Sequence, residues 1–178
     1  MIKQNFKFLS KERVPKENRR FVTGKGKFVA DIDRVNMLHV AILPCHEPSA
    51  IISNIDFSRA LELQGVVDVI TGHEIANVIK PLINGLDTPN VKRYPLAVER
   101  VRYAGEWVCA VVAETRAIAE DALELIDLQT VKQDFVLDAE QALLPESPNV
   151  HPEHGSNVLL KKKFVWGTVK KDFENSDH

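Results

Sequence analysis

The stretch from Val101 to Ala113, running straight into Glu114–Ile126, constrains this 178-residue chain more than any other. From Trp107 to Ala113 every residue is apolar, the pattern of a strand covered on both faces. The run breaks at Glu114-Thr115, where a threonine can cap the first free N–H groups of a helix. Beyond it Ile118, Ala122, Leu125 and Ile126 recur at i, i+4, i+7 and i+8, one stripe of a helix. Glu120, Asp121 and Glu124 fall largely off that stripe, towards water. Gly105-Glu106 stands where the strand opens, and glycine there marks a bulge or a close backbone approach.

The rest of the chain supplies shorter pieces. Residues 1–18 are polar and charged, with Pro15 against a regular element, and read as an extended N-terminal arm. Gly24-Lys25-Gly26 precedes Phe28-Val29, which reads as a short strand. A phosphate-cradling loop needs a third glycine, a strand before it and a helix after it, so a tight turn is the better reading. Met37–Leu43 is a second strand ended by Pro44, and Ala50–Ile55 a third. Asp56–Gly65 reads as a short helix, with Asp56 or Ser58 capping its start and Gly65 supplying a left-handed residue beyond its end. Val66–Thr71 is a further strand. Residues 73–100, with Pro81, Gly85, Pro89 and Pro95, read as irregular structure of the kind that is functional or packed on a neighbour. Ile126–Val131 is another strand, and Asn157–Gly167 a strand or extended arm whose Lys161, Lys162 and Lys163 form an exposed face or protect an edge. A helix begins near Lys170. The class is therefore α+β, a mixed β-sheet with packed helices.

Composition narrows the functions. The chain is 44% hydrophobic and 27% charged with a net charge of −2, an ordinary globular balance without a basic stripe for nucleic acid. No apolar window is long enough for a membrane helix, and no signal-peptide core is present. Two distant cysteines, Cys45 and Cys109, fit a reduced, cytoplasmic setting without a disulfide. Cys45-His46-Glu47 lacks metal-ligand spacing. His151 and His154 stand three apart, but in a proline-rich loop that does not hold them on one helical face. No serine elbow, helical histidine pair or fixed carboxylate pair is present, and neither cysteine has a recognisable base partner. No catalytic, cofactor-binding or metal-binding residue is therefore assigned.

Several ordered segments carry a resemblance. They are Arg20 with Gly24–Ile32, Ile55-Asp56 with Ala60 and Gly65–Gly72, and Tyr94–Ala97 with Val101–Glu106 and Val111–Ala122. Val136–Asp138, Val150–Glu153, Gly155–Val158 and Gly167 with Phe173 and Ser176–His178 extend the series. Together they resemble the N-terminal α/β hammerhead domain of molybdenum hydroxylase large subunits, the xanthine dehydrogenase and aldehyde oxidase family. The chain departs from the usual pattern at Thr130–Phe135, Trp107 and Cys109.

The resemblance implies a hammerhead domain over 19–144 and an extended segment over 145–178 leading to molybdopterin-binding domains absent from this chain. It implies a domain or small subunit of an enzyme that hydroxylates an aldehyde or N-heterocycle with water as oxygen source. Such an enzyme uses a molybdopterin-type molybdenum cofactor, 2Fe–2S clusters and usually FAD, none of them bound by this chain alone. The implied partners are the molybdopterin-binding domains or subunit, an iron–sulfur subunit and a flavin subunit, with neither nucleic acid nor membrane. The implied role is structural, with Gly24, Lys25, Gly26, Gly105, Glu106 and Trp107 forming turns that face partner domains. The alternative is a stand-alone scaffold of the same fold without redox function.

Overall fold

The computed structural model describes residues 14–82 and 91–177. These divide into two units, one up to Met37 and one from Leu38 onward. In the first, Asn18–Val22 forms a short helix, α1, and Val29–Asp31 a 3-10 turn. The Asp31 carboxylate accepts the Phe28 N–H at 2.9 Å, and the Phe21 and Phe28 rings stack with centroids 5.6 Å apart. The strand expected at Phe28-Val29 is thus a turn. A side-chain acceptor three residues on offers the backbone a local partner in place of a ladder.

The second unit holds β1 (His39–Pro44), β2 (Ala50–Asp56), α2 (Ser58–Leu61), β3 (Val66–Thr71), α3 (Gly72–Val78), β4 (Arg100–Val101), β5 (Trp107–Ala113), α4 (Arg116–Leu123), β6 (Asp127–Lys132) and α5 (Val169–Glu174). The α+β class is the one expected. The strands, however, sort into two three-stranded sheets, β1-β5-β3 and β4-β2-β6, and every pairing in them is antiparallel. The apolar run at β5 does not separate the parallel case from this one, because a central antiparallel strand covered on both faces reads the same way.

Both faces of β5 are used. Cys109, Val111 and Ala113 turn into one cluster with Ala41, Ala60, Val69, Ala119 and Ala122. Val108 turns into a second, with Cys45, Ala50, Ala97 and Val101. Ile55 of β2 packs against both. The register slips between Leu43 and Pro44, which face Cys109 and Trp107, so Val108 is the extra residue of a bulge.

Helix α4 starts at the expected Thr115, whose hydroxyl accepts the Ile118 N–H at 3.2 Å. Its innermost residues are Ala119 and Ala122, both fully buried, with Ile118 at the flank. Gly65 is left-handed at φ +92°, and a Cβ there would lie 2.7 Å from the Ile118 Cδ1.

Two elements differ from expectation. Helix α2 is a single turn, begun by Asp56 Oδ1 accepting the Ser58 N–H at 3.0 Å. Helix α3 occupies the start of the stretch read as irregular, whose residues 83–90 lie outside the described set. Its signal is a capping box: Glu74 accepts the Thr71 N–H at 2.7 Å, and Thr71 Oγ1 accepts the Glu74 N–H at 3.4 Å. Of the two readings of Asn157–Gly167, strand or extended arm, the structure rules out the strand, and α5 follows close to the expected start at Lys170.

A Cβ on Gly72 would sit 2.0 Å from the Ala97 carbonyl oxygen, so α3 and the segment entering β4 touch backbone to backbone. Gly72→Ala is expected to cost about 3 kcal/mol, as overpacking against immovable backbone does. Urea unfolding of the variant beside wild type measures it.

Candidate interface site

The site is built on the turn that joins β4 to β5. Gly105 is left-handed at φ +91° and its N–H donates to the Cys45 carbonyl at 2.6 Å. The Cys45 N–H donates in return to the Glu106 carbonyl at 2.9 Å, so the turn is stitched to the end of β1. Nothing lies within 4 Å of a Cβ built on Gly105. The glycine therefore serves the turn's handedness, and the close backbone approach considered from sequence is not its reason.

This turn aims Glu106 inward. Its carboxylate accepts the Arg102 N–H and lies 3.7 Å from Arg102 Nη1. Arg102 reaches further, with Nη1 donating to the Arg100 carbonyl at 3.2 Å and Nη2 standing 3.9 Å from Glu153 Oε1. Glu153 Oε1 in turn lies 3.4 Å from His151 Nδ1, at ion-pair distance but without hydrogen-bond alignment. The side chains of Arg102, Glu106 and His151 are largely covered, and Glu153 is 45% exposed. Arg102 Nε and His151 Nδ1 are buried with no hydrogen-bond partner among the described residues, an arrangement that costs stability. A cavity of about 480 Å³ opens beside them, lined by Tyr94, Leu96, Arg100, Arg102, Glu106 and Glu153 among others.

Burial sets the protonation of this cluster. It raises the Glu106 carboxyl above its ordinary value, with the Arg102 N–H and guanidinium opposing. It lowers His151, helped by the charge of Arg102 and opposed by Glu153. For Glu153, burial pulls upward, but its backbone hydrogen bond, Arg102 and His151 hold it below its ordinary value.

The sequence-based candidates separate. Gly105 and Glu106 belong to the cluster, while Trp107 opens β5 half-exposed. Gly24, at φ +68°, and Lys25 and Gly26 lie in the other unit, in a turn where a Cβ on Gly26 would press on the Phe21 ring at 2.7 Å. Cys45 is in the core while Glu47 pairs with Lys132 at 3.0 Å, so that triplet splays apart. His151 enters the charged cluster, whereas His154 Nε2 contacts the Val158 carbonyl at 3.3 Å. Among the described residues no three His, Cys, Asp or Glu side chains gather to hold a metal ion. Burial pushes the Cys109 thiol up to about 11, leaving it a protonated core residue at neutral pH. Arg102 and Glu153 carried no signal of their own, except that Arg102 and Glu106 are opposite charges four apart across a glycine.

With this geometry in place, comparison with known proteins identifies the domain. The family described as aldehyde oxidase and xanthine dehydrogenase, a/b hammerhead domain, matches residues 23–133. The chain is 34% identical over 171 residues to the nicotine 6-hydroxylase large subunit of Paenarthrobacter nicotinovorans, covering 94% of this chain and 21% of that protein. It is 33% identical to a probable xanthine dehydrogenase component of Bacillus subtilis, covering 93% and 21%. The crystal structure of quinoline 2-oxidoreductase from Pseudomonas putida 86 superposes with a TM-score of 0.78 at 30% identity, covering 92% of this chain and 21% of that one. The chain belongs to the aldehyde oxidase and xanthine dehydrogenase family of molybdenum hydroxylases, as its hammerhead domain. This chain spans about a fifth of the length of the relatives named, 21% in each case. No helix among the described residues is long and apolar enough to cross a membrane.

Two outcomes follow from the cluster and the core. A His151 held below its ordinary 6.5 means the folded chain binds fewer protons than the unfolded one, so this contribution is full above that value and lost as pH falls through it. Glu106, raised above 4.5, acts in the opposite sense, because protonation on acidification relieves its burial. As pH falls from about 7 to about 4, His151→Gln should flatten the fall in urea midpoint below 6.5, and Glu106→Gln should steepen it over the part just above 4.5. Separately, Cys109 should resist iodoacetamide at about pH 7.5 in the folded chain and react once it is unfolded, as peptide mapping would report.

Proposed function

We propose that this chain is a structural and assembly domain, or small subunit, of a molybdenum-dependent hydroxylase or dehydrogenase. The larger enzyme would oxidise an aldehyde or N-heterocycle with water as oxygen source. The observation that carries the reading is the apolar surface beyond residue 157. Phe164 is 71%, Trp166 80% and Phe173 77% exposed, on a chain that spans 21% of its relatives. A run of bare large side chains is a surface to be covered, and the natural cover is the remaining four-fifths of such an enzyme.

In this reading residues 19–144 are the hammerhead body and 145–178 the segment that runs along the molybdopterin-binding part. The molybdopterin-type cofactor, the 2Fe–2S clusters and FAD would in this reading be held by the other domains or subunits. When bound there, the molybdenum centre would supply the two-electron oxidation. This chain's own residues would hold partner surfaces in place, with the turns at Gly24–Gly26 and Gly105–Trp107 facing them. The scaffold alternative has no observation in its favour.

Native mass and metal content of the protein from its source test this reading. A larger assembly containing molybdenum and iron is expected, and a metal-free species of this chain's own mass would overturn it. At the turn, Gly105→Ala and Gly105→Trp pay the same left-handed backbone cost, about 1–2 kcal/mol. Only the tryptophan adds bulk at the proposed interface. Assembly should therefore fall further for Gly105→Trp than for Gly105→Ala, while their unfolding midpoints stay alike. Equal assembly would mean that the turn faces no partner.

A further inference from the structure

We infer that Arg102 is a positioning residue, clamping the limb around residues 148–157 onto the turn before β5 and so fixing the course on which the chain leaves the α/β body. The two segments are remote in sequence, and their side chains converge on one guanidinium. One edge meets Glu106, at the foot of β5, and the other meets Glu153, in the limb. His151 closes the far side against Glu153 and is itself 9% exposed. The two contacts, at 3.7 and 3.9 Å, are ion pairs, and the flat guanidinium suits them because its two terminal nitrogens stand on opposite flanks and can face two carboxylates at once.

The limb is also knit within itself and to the preceding 3-10 turn, so that the Arg102 contact acts on an ordered piece. The Asn157 side-chain oxygen accepts the Val150 N–H at 2.9 Å, while its nitrogen donates to the Ala142 and Pro148 carbonyls, each at 3.0 Å. The His154 and Gly155 N–H groups close a turn on the His151 and Pro152 carbonyls at 2.9 and 3.1 Å. Clamping Glu153 therefore holds a loop that is already knit, and the exposed apolar segment begins directly beyond it. That this direction serves partner docking rests on the function proposed above; the clamp itself rests on the contacts.

Hydrogen exchange of the protein expressed in its own host, read by mass spectrometry, tests the clamp. In Arg102→Met, exchange at the Val150, His154 and Gly155 amides should rise about tenfold while the amides of Val108–Ala113 stay as in wild type. Arg102→Lys should fall between the two. Glu153→Gln, altering the more exposed end of the cluster, should reproduce the local rise and decides the matter if Arg102→Met does not accumulate. No change in the limb, or an equal rise in β5, would overturn the inference. Co-purification of a molybdenum-containing chain is scored separately. A local rise without any such partner would leave the clamp standing and remove the proposed function.

Discussion

Burial of β5 on both faces is the constraint from which the rest of this fold follows. A strand whose neighbours in sequence belong to different cores can satisfy them only if each face has its own cover. Cys109, Val111 and Ala113 take α4 and β3 on one side, and Val108 takes Cys45, Ala97 and Val101 on the other. Burying a valine contributes roughly 1.5–3 kcal/mol, and Val69, Val101, Val108 and Val111 are all essentially inaccessible. Alternation along the strand serves both clusters, and the bulge at Val108 shifts the β1 ladder by one residue at the strand's foot.

The same strand explains why the charged cluster lies where it does. β5 needs a sharp entry from β4, the entry needs a left-handed residue, and the next side chain, Glu106, is turned inward at the strand's foot. Covering that carboxylate calls for a cation, which Arg102 supplies from the start of the turn. Glu153 stands 3.9 Å from the other terminal nitrogen of that guanidinium, while Nε keeps no hydrogen-bond partner among the described residues. Each step is the local remedy for the one before, and the sum joins two remote parts of the chain.

Much of this was legible in the residues. The apolar run of β5 from Val108 onward and Thr115 as cap act in the structure as their chemistry suggests, while Gly65 is left-handed as expected but in the turn into β3, four residues beyond the end of α2 at Leu61. What stayed hidden depends on pairing across distance. The division into two antiparallel sheets is set by which strands find each other, and the burial pattern of β5 is the same in either arrangement. Helix α3 was concealed by its length: seven residues show almost no period, although Thr71 and Glu74 carried the capping signal. Within α4 the large Ile118 drew attention from Ala119, which lies deeper because a small side chain permits close approach. Of the cluster, Glu106 and Gly105 could be picked out by their place at the strand opening. The partnership with Glu153 exists only once the chain has folded back.

The alanine seam under α4 also bears on how such a domain can diverge. Ala41, Ala60, Ala113, Ala119 and Ala122 make up most of the cluster between this helix and the sheet, with Val69, Cys109 and Val111 as its larger members. A methyl-lined contact has no slack for a larger residue and little to lose from shifting along its own length. The outward residues of α4, such as Arg116 and Glu120, pair with each other at 2.7 Å in solvent and ask nothing of the core. The inner side of this helix therefore tolerates little change in side-chain size, while its outer charges can be exchanged at little cost in stability.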